Sequence, residues 1–295
     1  MVYTNTPLDT SDIIIQLKNR GLMISDESFA ADFLEHVSYF RFAAYLRPME
    51  IDKAHNYKPG ASFDNAVKLY RFDTELRHLI FFAIQRIEIS LRAKIINKFA
   101  INHGAMWFLR PELTNDKHNF TDNLSTLERE LKRSKEDFIK EHISKYGQDE
   151  YPPVWTLLEL ASFGCLTKLY FNFSDTKTKK AIARQYSVPQ HEILESWMKA
   201  LNALRNTCAH HGRVWNRTMP VMPQLPAKLA NDWILTKPAP NKLCATLSCM
   251  VYWLDAIDYS NSFVSDFKAL ISRYPNVDTA AMGFPSGWEN EPLWK

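Results

Sequence analysis

The stretch Ala203–Arg217, ALRNTCAHHGRVWNR, gathers three arginines, two adjacent histidines, two asparagines, a cysteine and a tryptophan. Histidine titrates at about pH 6.5, so it can take or give a proton at neutral pH. Arginine offers a planar fork of donors to a charge-rich phosphoryl transition state. Asparagine can fix an imidazole ring or hold a phosphate oxygen. Together these are the tools of metal-free RNA cleavage, in which a ribose 2′-hydroxyl attacks the adjacent phosphorus and the 5′-oxygen leaves. Two plainer readings compete: a metal site, or a polar helix face that only meets water.

Spacing separates these readings in part. On a helix of about 100° per residue, Leu194, Trp197, Leu201, Leu204, Cys208 and Trp215 form one apolar stripe. Asn206, His210, Arg213 and Arg217 fall on the opposite side, with Asn202 at its edge. Asn206 and His210 are i,i+4 neighbours. Arg205 flanks the stripe, and its long stem can carry the guanidinium toward the polar face. Cys208, His210 and His211 point in different directions, and no CxxC or HxxxH cluster completes a zinc set, so no metal is expected. Cys208 reads as a small buried hydrophobe. Gly212 weakens every placement beyond it.

The elements that must carry this stretch are helical. Glycines number only eight, and long segments keep a helical period. Two short helices are expected at residues 8–20 and 26–47, split at GLMIS, with Ser25 capping the second and Pro48 stopping it. The longest periodic segment, roughly 66–99, opens at Ser62 or Asp64 and repeats Leu69, Phe72, Leu76, Leu79, Ala83, Ile87 and Leu91. It also carries two acid-first pairs, Asp73 with Arg77 and Glu88 with Arg92. Both read first as surface ion pairs; the alternative is that RIEISLR borders the active cleft. Residues 120–146 read as one exposed, charge-laced helix. Pro189 is placed to start a helix running through Trp215, a proline-punctuated connection covers 216–240, and two more helices are expected near 241–258 and 260–273. The aromatic tail MGFPSGWENEPLW is expected to dock rather than float.

Composition bounds the rest. Hydrophobic residues make up 46% of the 295, ample for a core, and the net charge of +3 permits a nucleic-acid partner without arguing for one. The opening MVYTNTPLDTSD lacks the basic and apolar segments of a signal peptide. The expectation is therefore a cytoplasmic protein with reduced cysteines. LIFFAI is far shorter than the roughly 20 apolar residues a membrane span needs.

RNTCAHHGRVWNR resembles the signature of the Abi-like family, the AbiD/AbiF type of abortive-infection proteins within the HEPN superfamily. Its hallmark is arginine, a polar residue, three to five others, then histidine; here Arg205, Asn206 and His210 fill those places. LKNRGLMISD, YFRFAAYLRP, LYRFDTELRHLIFFAIQRIEISLR, PPVWTLLELASFGCLTKLY and MGFPSGWENEPLW resemble the family's other blocks in order. The resemblance implies an all-α fold, a HEPN-like helical bundle with an N-terminal helical extension. That divides the chain into the extension at 1–60, the bundle at 61–274 and a packed tail at 275–295.

It further implies a metal-independent endoribonuclease, without a cofactor, that acts on RNA in phage defence and leaves a 2′,3′-cyclic phosphate and a 5′-hydroxyl. Arg205, Asn206 and His210 would be catalytic. His211, Arg213 and Asn216 also fit the extended signature and would orient the site or contact RNA. Implied partners are a second copy forming a composite cleft and, for some family members, a small non-coding RNA regulator; no membrane is implied. Two rivals stand beside it: a non-catalytic RNA-binding or regulatory protein of the same fold, and a helical protein–protein module whose motif face is a dimer interface.

Overall fold

A computed structural model of the chain describes residues 6–258 and 260–295. Among them the regular structure is helical: α1 (Thr10–Asn19), α2 (Glu27–Val37), α3 (Tyr39–Leu46), α4 (Phe63–His103), α5 (Lys117–Arg133), α6 (Asp137–Tyr146), α7 (Val154–Leu157), α8 (Phe163–Asn172), α9 (Thr176–Gln185), α10 (His191–Ala209), α11 (Leu243–Ile257) and α12 (Phe263–Arg273). Short 3-10 turns join several of them, and no strand forms among the described residues. The fold class is all-α, as the periodicity predicts. No helix among the described residues is long and apolar enough to cross a membrane.

Contacts group the chain into two compact units. The first takes the described part of Met1–Arg77 with Lys268–Val277; the second takes His78–Phe267 with Asp278–Lys295.

In the first unit the helix expected over 26–47 is two helices. Ser38 adopts φ 58°, outside helical space, and the chain restarts at Tyr39. The break lets Phe33 on α2 meet Phe42 on α3 edge-on at 5.0 Å, while Phe42 packs on Phe63 at 4.8 Å. A single straight helix would point those rings apart. Asp26, not Ser25, caps α2, its carboxylate accepting from the Phe29 N–H at 2.9 Å. Ser25 instead donates to Asp64 at 2.8 Å. Ser62 caps α4, accepting from the Asn65 N–H at 3.2 Å.

The Asp73–Arg77 pair is not on the surface. Asp73 is 0% exposed and Arg77 5%. The two form a direct ion pair, the Tyr45 hydroxyl donates to Asp73 at 2.7 Å, and Arg77 donates to Thr74 Oγ1 at 2.9 Å. Burial, reinforced by Asp73, pushes the Tyr45 hydroxyl well above its ordinary titration range.

In the second unit α11 is buried all round, from Leu243 to Leu254. A helix apolar on every side belongs at the centre of a bundle. α10 packs on α8, α9 and α11, and α5 on α8. The charged segment expected as one helix breaks at Ser134–Glu136 into α5 and α6, and the Ser134 hydroxyl accepts from the Glu136 N–H at 3.3 Å. The break lets each piece turn its own apolar side inward, Leu127 from α5 and Ile139 from α6. Trp288 and Trp294 of the C-terminal segment are buried against each other at 5.4 Å, and both rings pack on Phe267.

Removing one member of a buried ion pair strands the other charge. Arg77→Met should lower the unfolding free energy by about 3–5 kcal/mol. The double variant Asp73→Leu/Arg77→Met should recover most of that loss. Urea unfolding of the three chains checks both outcomes.

Candidate active site

α10 delivers the motif. Its apolar positions Leu194, Trp197, Leu201, Leu204 and Cys208 are all buried, as the stripe predicts. The Trp197 indole stacks on Trp233 at 5.9 Å and donates to the Gln224 carbonyl at 2.8 Å, which fixes the rotation of the helix about its axis. With that rotation fixed, Asn206 and His210 face solvent and Arg205 lies half-buried at the margin.

Arg205 is held on two sides. Its guanidinium carbon sits 5.5 Å from the centroid of the Phe81 ring on α4. Its Nη1 donates to Asn206 Oδ1 at 3.4 Å. The stem therefore does carry the charge round to the polar face, with an aromatic ring as a floor.

The helix ends earlier than the sequence predicts, at Ala209 rather than Trp215. The His210 N–H donates to the Asn206 carbonyl at 3.0 Å, His211 to Cys208 at 3.0 Å and Gly212 to Thr207 at 2.8 Å. The last two bonds make a Schellman cap, whose pivot residue must be left-handed. His211 is that pivot, at φ 56°. Glycine usually fills the place; here it follows one residue later, packed so closely that an added Cβ on Gly212 would lie 3.1 Å from the Thr207 methyl.

The turn redraws the motif. Arg213, Asn216 and Arg217 leave the helix, so the four-residue face expected from spacing keeps only Asn206 and His210. Val214 and Trp215 turn inward and are buried, with the Trp215 indole donating to the Asp278 carbonyl at 3.0 Å. Asn216 adopts φ 47°, and Arg217 bends back to donate to the Arg213 carbonyl at 3.3 Å. His210 and His211 stand exposed on the turn, while Arg213, Asn216 and Arg217 are half-buried beside it. Cys208 is buried, and among the described residues no His/Cys/Asp/Glu group is arranged to hold a metal ion.

The second acid-first pair also differs from its first reading as a surface pair. Arg92 is largely buried and donates to Glu88 at 3.2 Å, to the Ala161 carbonyl at 2.9 Å and to Glu159 at 3.4 Å. The Glu88 carboxylate accepts the N–H of Phe163, the first residue of α8. Burial raises its affinity for a proton, while the positive charges of Arg92 and Arg205 oppose the rise. The RIEISLR stretch is therefore part of a buried polar cluster at the start of α8 rather than a surface pair. Asn202 turns from the helix edge toward Gly164, its Oδ1 buried without a hydrogen-bond partner.

The site thus consists of an arginine lying over the Phe81 ring, an asparagine accepting from it, and two exposed histidines on the turn that follows. Such a constellation can bind an oxyanion and exchange a proton beside it. The profile of the Abi-like protein family matches residues 32–216, more than half of the chain and all of this constellation up to Asn216. The chain belongs to the Abi-like protein family. That membership suggests a role in abortive infection, a form of phage defence. No curated protein and no solved structure matches the chain.

A left-handed pivot costs a residue with a Cβ roughly 1–2 kcal/mol. His211→Gly should therefore leave stability unchanged or raise it by up to about 1 kcal/mol. His211→Val should lower it by more than that, because a β-branched side chain fits positive φ worst. Thermal unfolding of the two variants provides the comparison.

Proposed function

We propose that this protein is a metal-independent endoribonuclease of the HEPN type, acting in abortive infection. Arg205, Asn206 and His210 form its catalytic set. The ribose 2′-oxygen attacks the adjacent phosphorus as a histidine takes its proton. The P–O5′ bond breaks, and the leaving oxygen gains a proton, giving a 2′,3′-cyclic phosphate and a 5′-hydroxyl. Arg205 stabilises the charge on the phosphoryl oxygens, and Asn206 orients the arginine. His211, Arg213 and Asn216 line the turn and contact the RNA backbone.

The observation that carries this reading is the Arg205–Asn206 contact, 3.4 Å long, one helical turn before exposed His210. An ordinary solvated helix face has no reason to seat an arginine on an aromatic ring and leave a histidine open beside it. The working unit is a homodimer in which two such helices form one cleft. An RNA-binding protein without catalysis is the rival, since the same charges would grip a phosphate backbone. A small RNA that occupies the cleft would restrain the enzyme.

Wild type incubated with total cellular RNA in EDTA should yield fragments with cyclic-phosphate ends. His210→Ala should lower the rate by about 10²–10⁴-fold, the usual contribution of one acid–base group. Arg205→Ala should cost at least about 10²-fold, as loss of a transition-state donor does. RNA bound but never cut by wild type would favour the binding protein; equal cutting by wild type and His210→Ala would remove His210 from the mechanism.

A further inference from the structure

Charge is not spread evenly along the chain. Residues 89–111 and 176–191 hold eight lysines and arginines and no aspartate or glutamate, although the net charge of the whole chain is only +3. Three of the eight are paired with acids from elsewhere: Arg92 with Glu88 and Glu159, Arg110 with Glu112, and Lys179 with Glu195. Lys94, Lys98, Lys177, Lys180 and Arg184 make no ion pair among the described residues.

Helix packing brings these five together. α4 and α9 run antiparallel, tied by Lys94 to Gln185 at 3.1 Å, by Asn102 to Thr178 at 2.7 Å and by His103 to Asp175, the cap of α9, at 2.8 Å. The Lys94 ammonium also lies 5.0 Å from the centre of the Tyr186 ring, so it is held at the seam between the two helices. Lys98 follows one turn later on the same side of α4. Across the seam, Lys177, Lys180 and Arg184 share the exposed face of α9, spread over about 10 Å of its axis. Burial, reinforced by the charge of Lys98, makes the Lys94 proton easier to lose.

Like charges on neighbouring turns destabilise a helix. Other exposed cations of this chain find acids, as Lys140 does with Asp137. A row of uncompensated cations along two helices suits a partner that brings the negative charge. Strung out along a seam rather than converging on one point, they match a polymer with charge repeated along its length. Anionic lipid headgroups also repeat, but a membrane-docking face needs apolar side chains to enter the bilayer, and α9 exposes no large one. Lys94 stands about 20 Å beyond Phe81 along α4, too far to touch a phosphate held by Arg205.

We propose that the seam of α4 and α9 is a second RNA-binding surface, where Lys94, Lys98, Lys177, Lys180 and Arg184 grip the phosphate backbone of a strand away from the Arg205–Asn206–His210 site. This rests on the ribonuclease reading only for what the bound RNA is for: the seam holds a strand whose other part enters the motif. None of the five touches a reacting atom.

The test uses the full-length protein and a fluorescent single-stranded RNA of mixed sequence. The RNA is 2′-O-methylated, which leaves no attacking hydroxyl and keeps it intact. Lys177→Gln/Lys180→Gln/Arg184→Gln removes three charges from the seam. Lys53→Gln/Lys68→Gln/Lys117→Gln removes three from exposed positions elsewhere and serves as the control. Binding is measured at several salt concentrations between about 50 and 200 mM. Each phosphate contact on a single strand contributes about 0.7 to the slope of log affinity against log salt. The seam variant should lose about 2 from that slope and at least about tenfold in affinity. The control should stay close to wild type. Lys98→Gln, on the other helix, should act in the same direction with a smaller loss, and it supplies the answer if the triple variant does not fold.

Unchanged slope and affinity in the folded seam variant overturn the proposal, as does an equal loss in the control, which is the signature of bulk charge alone. Wild type that binds vesicles of phosphatidylserine and phosphatidylcholine but not the RNA also overturns it. The ribonuclease reading fails separately. Wild type that binds RNA through the seam but never cuts unmodified RNA removes that reading and leaves this one; wild type that cuts while the seam variant binds as tightly does the reverse.

Discussion

The last turn of α10 has to dispose of its free carbonyl groups, and the way it does so shapes everything around the motif. A helix end leaves carbonyls without partners. Here the N–H groups of His210, His211 and Gly212 take up the carbonyls of Asn206, Cys208 and Thr207. Satisfying the last two requires His211 to turn left-handed. From that point the chain cannot continue along the helix axis. Val214 and Trp215 enter the core, and Arg217 after them bends back to the Arg213 carbonyl. Two histidines separated by one peptide bond thereby receive different backbone conformations, one closing the helix and the other pivoting away from it.

A turn of this kind positions chemistry only if the helix beneath it does not roll. α10 is wedged against α8, α9 and α11, and α11 offers apolar side chains in every direction. Trp197 adds a directional bond to packing that would otherwise be only shape. Arg205 lies at the seam between this core and solvent, where its stem is covered and its charge is available. Phe81 reaches it from α4, so the site takes residues far apart in sequence but fixed by the same packed unit.

Two ion pairs on α4 show how environment sets the meaning of one spacing. Asp73–Arg77 and Glu88–Arg92 share the same acid-first, four-residue separation. The first is sealed inside its unit with Tyr45 and Thr74, where its worth lies in leaving no charge uncompensated. The second is open on one side, and its acid feels a third charge, that of Arg205. Spacing alone would assign both about 0.2–0.5 kcal/mol as exposed pairs. The surroundings make one a structural cross-link and give the other an electrostatic reach toward the motif.

The sequence by itself determined the helical class, the apolar stripe of α10 and the placement of Asn206 and His210 on its open side. These follow from periodicity, which is local and survives any packing. Gly212 also marked the region where the helix would fail. The stop at Ala209, the pivot at His211 and the inward turn of Trp215 depended on more than the motif's own residues. Trp215 is anchored by the carbonyl of Asp278, 63 residues away, and no local pattern announces such a partner. The same holds for the split at Ser38, set by rings that meet on Phe63, and for the Glu88–Arg92 pair, whose arginine is tied to the Ala161 carbonyl just before α8. Tertiary structure decided these points because hydrogen-bond satisfaction and ring packing are settled between elements, whereas the sequence pattern reports only the periodicity within each one.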